Sequence, residues 1–333
     1  PVIADIQNNG NLQIVFGTGG ENHAGSMWIA ALSDLMNNSL INASQLATNS
    51  TKGFVAPASL ADFNNNGYLD IIVQSYAGSI MRFDGISLAQ KWSVTIANSE
   101  SSAAPVIGNF TGGDLTPDVF AVCNQGVAPS FFDHFQVMID GETGNIEWMD
   151  SISDLHFASA NAFDSNNDGR DEVLISVNNI SSYFEHELLL IDFENDTVSS
   201  ITSAVGGVNL ASSPLVTDLD NDGFIDIIYA YRADSINPSA WNGIYVNRLN
   251  TSFSIPNSGI AWGAYMGNNY NGIYTNQLVD CGNGSVISSL NITNPSCNGF
   301  QDGLVTVNLV SPSLEHTFLW SNGSVNDSLI SVG

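Results

Sequence analysis

Short apolar runs alternate with polar turns along most of the chain, and the alternation is repeated. In five places a short apolar run is followed by a turn rich in Asn, Asp and Gly, and then by a run rich in Ile and Val. Apolar strands around a tight Asx-Gly turn are typical of a β-hairpin. The hairpins recur about every 50 residues, which indicates a repeated supersecondary unit. They lie at residues 1–17, 58–74, 105–122, 158–176 and 214–230.

Two further strands follow three of these hairpins. Each pair of apolar runs is separated by a polar turn, and the pairs lie at residues 78–96, 134–150 and 187–201. Four antiparallel strands in roughly 40–55 residues form one blade of a β-propeller. A β-solenoid, the main alternative, has shorter coils and lacks paired hairpins. The sequence therefore predicts an all-β fold, a β-propeller of four-stranded blades.

The hairpins share a motif, Pro-Val-x-x-Asp-x-Asn/Asp-x-Asn/Asp-Gly-x-x-Asp-Ile-Ile-Val, which is best preserved in the second, fourth and fifth. This motif resembles the FG-GAP/VCBS repeats of integrin α-subunit propellers and of many bacterial surface proteins. The resemblance spans residues 1–275 and implies a propeller with calcium-binding hairpin loops. Residues 262–274 resemble the Trp-containing tail that closes such propellers in Bacteroidetes surface proteins.

The composition changes after residue 275, where the hairpin period stops. Residues 295–333 contain Ser-Cys-x-Gly and Phe-x-Trp-Ser-Asn-Gly, and they resemble the SprB-type repeat of adhesins from gliding Bacteroidetes, a small Ig-like β module. We therefore expect a propeller in residues 1–275 and a SprB-like Ig-type module in residues 276–333. Because that family continues past its final Gly, we expect the module to be C-terminally incomplete.

The N-terminus suggests that the propeller is also incomplete. The chain begins at Pro1, without an initiator Met or a signal segment, as a trimmed piece of a longer protein would. Five hairpins are at the low end for a closed ring, since propellers have about 4–8 blades. We expect either that further blades precede Pro1 or that residues after Ser258 complete a sixth blade.

The fifth hairpin has the strongest candidate chemistry. Its loop places carboxylates at positions 1, 3, 5 and 9, Gly at position 6 for a sharp reversal, and a backbone carbonyl at position 7. Hard oxygen ligands without His or Cys suit Ca²⁺. The alternative is an Asx-rich turn that holds no metal. The predicted ligands are Asp218, Asp220, Asp222, Phe224 through its carbonyl, and Asp226.

The second and fourth hairpins keep the same spacing with fewer carboxylates. In the second the predicted ligands are Asp62, Asn64, Asn66, Tyr68 through its carbonyl, and Asp70. In the fourth they are Asp164, Asn166, Asp168, Arg170 through its carbonyl, and Glu172. The first loop retains one carboxylate, so we expect an uncharged turn there. The third has an inserted residue before Asp118, and we expect that loop to have lost its ion.

The charge balance restricts the possible partners. The chain has 6 Lys and Arg against 33 Asp and Glu, a net charge of −27. So few cations cannot neutralise phosphates, which excludes nucleic acid and makes docking on anionic lipid unfavourable. No apolar run is long enough for a membrane span.

Catalysis has little support in the sequence. The five histidines are scattered without a metal-binding spacing, and Glu185-His-Glu187 has no partner motif, so we expect no enzyme. The family resemblance implies a secreted or cell-surface calcium-binding adhesion or interaction protein, exported by type IX secretion, with a protein or glycan ligand. Two alternatives remain open: a structural spacer of a long surface filament, and a propeller polysaccharide lyase or hydrolase.

Two kinds of covalent modification are possible. Four Asp-Ser/Thr-apolar sequences match the O-glycosylation pattern of Bacteroidetes secreted proteins, which would make the chain a glycoprotein; the acceptors are Ser151, Thr197, Ser235 and Ser328. Cys281 and Cys297 flank a Gly/Ser/Asn-rich stretch, and a disulfide between them is left open because spacing does not show their separation. Cys123 lies in an apolar run and is expected to be a buried free thiol.

Overall fold

A computed structural model of the chain describes residues 1–112, 116–128, 130–237, 240, 242–256, 258–275, 287–293, 303–309 and 328–332. Backbone contacts divide the chain into two compact units, Pro1–Leu278 and Val279–Gly333. Across the described residues, no helix combines the length and the apolar character needed to cross a membrane.

The first unit contains five antiparallel sheets in which strands follow one another in chain order. Blade 1 consists of β1 (Val2–Ala4), β2 (Gln13–Gly17), β3 (Gly25–Ala31) and β4 (Ser44–Asn49), with the short helix α1 (Leu32–Met36) between the last two. Blade 2 consists of β5 (Ser59–Ala61), β6 (Asp70–Gln74), β7 (Ser79–Phe83) and β8 (Gln90–Thr95).

Blades 3 and 4 each carry one additional short strand. Blade 3 consists of β10 (Val106–Gly108), β11 (Asp118–Val127), β12 (Ser130–Ile139) and β13 (Ile146–Asp150), with β9 (Ser99–Glu100) paired to β11. Blade 4 consists of β14 (Asn161–Phe163), β15 (Glu172–Ile180), β16 (Phe184–Asp192) and β17 (Thr197–Ser200), with β18 (Val205–Gly206) paired to β16. Blade 5 has three strands in the part that the structure describes: β19 (Leu215–Thr217), β20 (Phe224–Arg232) and β21 (Ile244–Ser254).

Successive blades are joined next to their innermost strands. Three hydrogen bonds connect neighbouring blades. Each joins a residue in or just before one innermost strand to a residue just before the innermost strand of the next blade. The bonds are Ser59 Oγ to the Pro105 carbonyl (2.7 Å), Ala104 N–H to Ser159 Oγ (2.8 Å) and Asn161 Nδ2 to the Pro214 carbonyl (3.1 Å). The innermost strands therefore adjoin one another from blade 2 to blade 5.

Residues 258–275 bond to three of these innermost strands. The Gly263 carbonyl accepts a hydrogen bond from the backbone N–H of Val216 in β19 (2.7 Å), and Trp262 exchanges two backbone bonds with Ala162 in β14. Leu60 in β5 donates to the Gly272 carbonyl and accepts from the N–H of Tyr274. Because one short segment bonds to three innermost strands, those strands surround a common axis. This radial arrangement of up-and-down sheets is a β-propeller.

Residues 258–275 bear on one of the two alternatives given for the propeller, a sixth blade after Ser258. The described residues of that segment form turns and isolated bridges and contain no named strand, so they do not build such a blade. The physical reason is burial: Trp262 is fully buried in the apolar cluster that joins blades 2, 3 and 4. The segment bonds to the inner strands instead of adding a sheet.

Apolar side chains between adjacent blades form the core. One cluster joins blades 2, 3 and 4, a second joins blades 1 and 2, and a third joins blades 4 and 5. Trp92 lies at the blade 2–3 interface, where it donates to the Gly141 carbonyl, and Trp148 lies at the blade 3–4 interface, where it packs on Phe193. Cys123 is buried and free.

The second unit contains one described antiparallel sheet of three strands, β22 (Ile287–Thr293), β23 (Gly303–Leu309) and β24 (Ser328–Val332). β23 is the central strand and pairs with both others.

Candidate metal centre

Four of the five inner hairpins have the same loop geometry. The carboxylate at position 1 accepts the backbone N–H groups of positions 5 and 6 at 2.7–3.1 Å, in the loops that begin at Asp5, Asp62, Asp164 and Asp218. The side-chain oxygen at position 5 accepts the N–H of position 7 at 2.9 Å in each loop. Asx side chains thus fold the loop around themselves.

Two positions per loop require a left-handed backbone. Position 4 is Asn in all four loops, with φ between 46° and 60° at Asn8, Asn65, Asn167 and Asn221. Position 6 is Gly, with φ between 82° and 94° at Gly10, Gly67, Gly169 and Gly223. Asn and Gly are the residues that tolerate this region, so the local sequence is sufficient to specify the turn.

The fifth loop brings three carboxylates together. Oxygen atoms of Asp218, Asp220 and Asp222 lie within 4.8 Å of one another. Asp220 and Asp222 are exposed and Asp218 is partly exposed, so the cluster is open to solvent. Such a set of hard oxygen donors fits a calcium ion.

The fourth predicted carboxylate of this loop, Asp226, has a different partner. Arg248 on β21 donates from Nε to Asp226 Oδ1 (2.9 Å) and from Nη2 to Asp226 Oδ2 (2.8 Å), and Nη2 also bonds Asp220. These hydrogen bonds lower the pKa of Asp226 and raise that of Arg248. The Leu219 N–H adds a further bond to Asp226 (2.9 Å). Position 9 is therefore tied to the third strand by an arginine.

Blade 2 repeats this arrangement with a buried pair. Arg82 on β7 donates from Nε (3.1 Å) and Nη2 (2.6 Å) to Asp70 Oδ2, and the Gly85 N–H donates to Asp70 Oδ1. Arg82 Nη1 reaches the Gly141 carbonyl of blade 3 (2.8 Å), and its guanidinium lies 4.9 Å from the centre of the Phe63 ring. The pair thus joins the second hairpin both to its own third strand and to the next blade.

Arg82 and Arg248 were not among the residues predicted to belong to the loop sites, although their shared position in the repeat is visible in the sequence. Arg82 pairs with Ile72 and Arg248 pairs with Ile228, and each of these isoleucines lies two residues after position 9 of its loop. The chain has only 6 Lys and Arg, so two arginines at one repeat position form a pattern.

In the fourth loop, Asp164, Asn166 and Asp168 keep the common turn geometry. Glu172 Oε2 accepts the Ser165 N–H (2.6 Å), and Oε1 accepts Asn166 Nδ2 (3.3 Å). Burial raises the pKa of Glu172 to about 7. In the second loop, the Asn64 N–H donates to Asp62 Oδ1 (3.3 Å) and the Tyr68 N–H donates to Asn66 Oδ1 (2.9 Å).

In blade 3, Asp118 Oδ2 accepts the N–H groups of Phe110 and Thr111, and burial raises the pKa of Asp118 to about 6. Residues 113–115 of that loop lie outside the described part. The first loop places Gln13 at position 9, where its Oε1 accepts the Ile6 N–H (2.9 Å).

The remaining candidate residues are dispersed. Ser151 and Thr197 are exposed, Ser235 is partly exposed, and Ser328 lies in β24. Ser151 Oγ donates to Asp133 (2.5 Å). Cys281 and Cys297 lie outside the described residues. Glu185 and Glu187 lie on β16 on either side of buried His186, which stacks on Tyr229 and Tyr231.

Comparisons with known proteins concern the fold. No protein-family model and no curated protein matches the chain. Among solved structures, Saccharomyces cerevisiae Sqt1 aligns with a TM-score of 0.42 and 13% identity over 89% of this chain and 66% of Sqt1. BamB from Moraxella catarrhalis aligns with a TM-score of 0.36 and 13% sequence identity over 99% of this chain and 88% of BamB. The Bacillus licheniformis rhamnogalacturonan lyase aligns with a TM-score of 0.37 and 12% sequence identity over 90% of this chain and 69% of the lyase.

Proposed function

We propose that the chain is a calcium-binding β-propeller that serves as an adhesion or interaction module at a bacterial cell surface. The observation that carries this proposal is the convergence of Asp218, Asp220 and Asp222 in a loop whose geometry recurs in three other hairpins. Arg248 neutralises part of the charge of these three carboxylates, and a bound cation would neutralise the rest.

The donor chemistry favours Ca²⁺. Every candidate ligand is a carboxylate, amide or backbone oxygen, and a flexible loop of such donors suits Ca²⁺ better than Mg²⁺, which demands near-ideal octahedral geometry. In the fifth loop the ion would be held by the three converging aspartates and the Phe224 carbonyl. Loops 2 and 4 would use the equivalent oxygens of residues 62–68 and 164–172, with fewer charges. Bound calcium would supply structural stabilisation of the hairpin.

The arginine pairs suggest that the carboxylate at position 9 has a different role from the oxygens at the other loop positions. Because Arg82 and Arg248 already bind Asp70 and Asp226, these carboxylates would anchor the loop to the third strand, and positions 1, 3, 5 and 7 would hold the ion. Calcium would then draw Asp220 away from Arg248, which leaves Arg248 paired with Asp226 alone.

The adhesive role, the extracellular location and the absence of catalysis rest on the resemblance of the hairpin motif to surface-protein repeats. The ligand would be a protein or a glycan. A binding assay with the full chain on host cells and on a glycan array, in calcium and in chelator, tests this. Calcium-dependent binding that the variant Asp220→Ala/Asp222→Ala loses is the expected result. Turnover of a polysaccharide, or calcium-independent binding, would contradict it.

A further inference from the structure

Asp171 departs from the repeat pattern of the inner hairpins. It occupies the residue just before position 9, where the other four hairpins have Leu12, Leu69, Pro117 and Ile225. The side chain is nevertheless buried, with 6% of its surface exposed. A buried carboxylate at a position that is otherwise apolar requires a compensating partner.

The Asp171 carboxylate is held at the junction of blades 3 and 4. The Asn109 N–H donates to Asp171 Oδ2 (2.7 Å), and the Asp171 N–H donates to the Asn109 carbonyl (2.7 Å). Asp118, 1% exposed, accepts the N–H groups of the next two residues, Phe110 (3.1 Å) and Thr111 (2.9 Å). Two buried carboxylates therefore bind consecutive residues of one short segment.

Two further oxygen atoms are buried and have no hydrogen-bond partner among the described residues: Asn109 Oδ1, and the hydroxyl of Tyr274, which packs in the same apolar cluster as Phe110. Tyr274 is only 6% exposed, and burial, followed by the charges of Asp171 and Asp118, raises its pKa far above the usual range. The charges of both carboxylates therefore act on the Tyr274 hydroxyl. Asn109 is oriented by a bond from Nδ2 to the Gly169 carbonyl (2.7 Å).

The arginines that neutralise carboxylates in blades 2 and 5 have no counterpart here. At the third-strand position of Arg82 and Arg248, blade 3 has Met138, opposite Phe120, and blade 4 has Leu190, opposite Leu174. Arg170, next to Asp171 in sequence, is paired with Glu194 (3.7 Å). Buried carboxylates without a cation are strongly unfavourable at neutral pH, so a bound cation would supply what the arginines supply elsewhere.

We propose that Asp118 and Asp171, with Asn109 Oδ1 and the Tyr274 hydroxyl, form a buried divalent-cation site between blades 3 and 4 and the segment 258–275. Two carboxylates balance one divalent charge, and the all-oxygen donor set favours Ca²⁺. This site is separate from the hairpin loops, and it does not depend on the proposed adhesive function. The ion would fasten residues 258–275 to blades 3 and 4.

The test counts calcium ions bound per full-length chain, by elemental analysis after dialysis against micromolar calcium. Asp171→Asn keeps an acceptor for the Asn109 N–H but removes the charge, and Asp171→Leu installs the residue that the first and second hairpins have. Each is expected to bind one calcium fewer than the wild type. Tyr274→Phe should weaken the same ion by roughly tenfold or more, because one oxygen donor is removed from a preformed site.

A matched control separates this site from the fourth loop. Asp164→Ala removes the position-1 carboxylate around which the fourth loop folds, so it should abolish the loop ion alone, and the double variant Asp164→Ala/Asp171→Asn should lose two ions. Loss of only one ion in the double variant would show that Asp171 acts through the loop, and the proposal would fail. If Asp171→Leu does not fold, Asp171→Asn and Tyr274→Phe decide the question.

Unchanged calcium stoichiometry in Asp171→Asn and unchanged affinity in Tyr274→Phe would overturn the proposal and leave a carboxyl pair that shares a proton. The proposed function fails by a different result, namely a full complement of ions in Asp220→Ala/Asp222→Ala or calcium-independent cell binding. The two outcomes are therefore distinguishable in the same set of measurements.

Discussion

Arg82 binds Asp70 through two nitrogens, and both side chains are almost completely buried, at 4% and 2% exposure. The third nitrogen of the guanidinium crosses to the Gly141 carbonyl of blade 3 (2.8 Å). Gly141 itself donates its N–H to Asp118 and accepts Trp92 Nε1. One ion pair thus connects the second hairpin, the third strand of its blade and the turn of the next blade.

Removing Arg82 should therefore destabilise the propeller strongly. We expect Arg82→Met, which introduces the residue that blade 3 has at this position, to lower the free energy of unfolding by about 3–5 kcal/mol, because Asp70 is left buried and unpaired. Urea unfolding measures this. Lys91→Met is the control, because Lys91 is exposed and lies 3.2 Å from Asp84, and its loss should cost about 0–1 kcal/mol. A double variant Asp70→Asn/Arg82→Met that is no more stable than Arg82→Met would contradict the explanation.

Calcium should raise thermal stability. Ions that bind only the folded loops stabilise by mass action, about 2.7 kcal/mol for each site at a hundredfold excess over its Kd. We expect a lower melting temperature in chelator, restored by Ca²⁺ more fully than by Mg²⁺. Scanning calorimetry in the three conditions checks this, and coincident curves would refute it.

The fifth loop should hold calcium most tightly. Asp220→Ala/Asp222→Ala leaves Asp218 with too few partner ligands, so we expect the loss of one ion per chain. The first loop has the same turn geometry but one carboxylate, and Gln7→Ala/Asn9→Ala at the equivalent positions should remove none. Isothermal titration with calcium distinguishes the two variants. Equal losses would mean that loop shape, and not carboxylate number, determines occupancy.

Buried His186 should make the fold sensitive to acid. Burial lowers the pKa of His186 from 6.5 to about 4, and its Nε2 lies 2.8 Å from Ser176 Oγ. Between pH 6.5 and 4 the unfolded chain takes up a proton that the folded chain does not. Its contribution to stability therefore falls by about 1.4 kcal/mol per pH unit as the pH decreases.

Urea unfolding at several pH values in chelator measures this slope. His186→Phe keeps a ring stacked against Tyr229 and Tyr231 but cannot titrate. The pH slope of its free energy of unfolding should therefore be smaller than that of the wild type by the uptake of one proton over this interval. Identical slopes in the wild type and His186→Phe would exclude His186 as the cause.

Trp262 should be essential to the inner end of the ring. It is completely buried and its backbone exchanges two bonds with Ala162 (3.1 and 2.9 Å). We expect Trp262→Ala to cost about 3–5 kcal/mol through the cavity that it creates. Tyr265→Ala, at a half-exposed neighbour, should cost much less. Hydrogen exchange should show that β14 and β19 lose protection in Trp262→Ala, and unchanged protection would contradict the proposed role of the segment.

The sequence by itself determined the local structure of this protein. Apolar runs of strand length, Asn at position 4 and Gly at position 6 specify the turn in four hairpins, because Asn and Gly adopt the left-handed backbone that the turn needs at the least cost. The repeat of that hairpin, followed by two more strands, was enough to predict blades and hence an all-β propeller. The clustering of the fifth-loop aspartates Asp218, Asp220 and Asp222 could be predicted for the same reason, since contacts within one loop depend on local geometry.

Only the tertiary structure decided which charges meet across the fold. Arg82 and Asp70 are 12 residues apart, Arg248 and Asp226 are 22 apart, and both pairings depend on strand register. The residues of the proposed buried site come from distant parts of the chain: Asp118 from blade 3, Asp171 from blade 4 and Tyr274 from residues 258–275. No local sequence pattern could indicate that they belong together. A sixth blade after Ser258 was one of two alternatives for the propeller, whereas the described residues 258–275 bond to the inner strands around buried Trp262. Long-range contacts of this kind follow from packing, which periodicity along the chain does not encode.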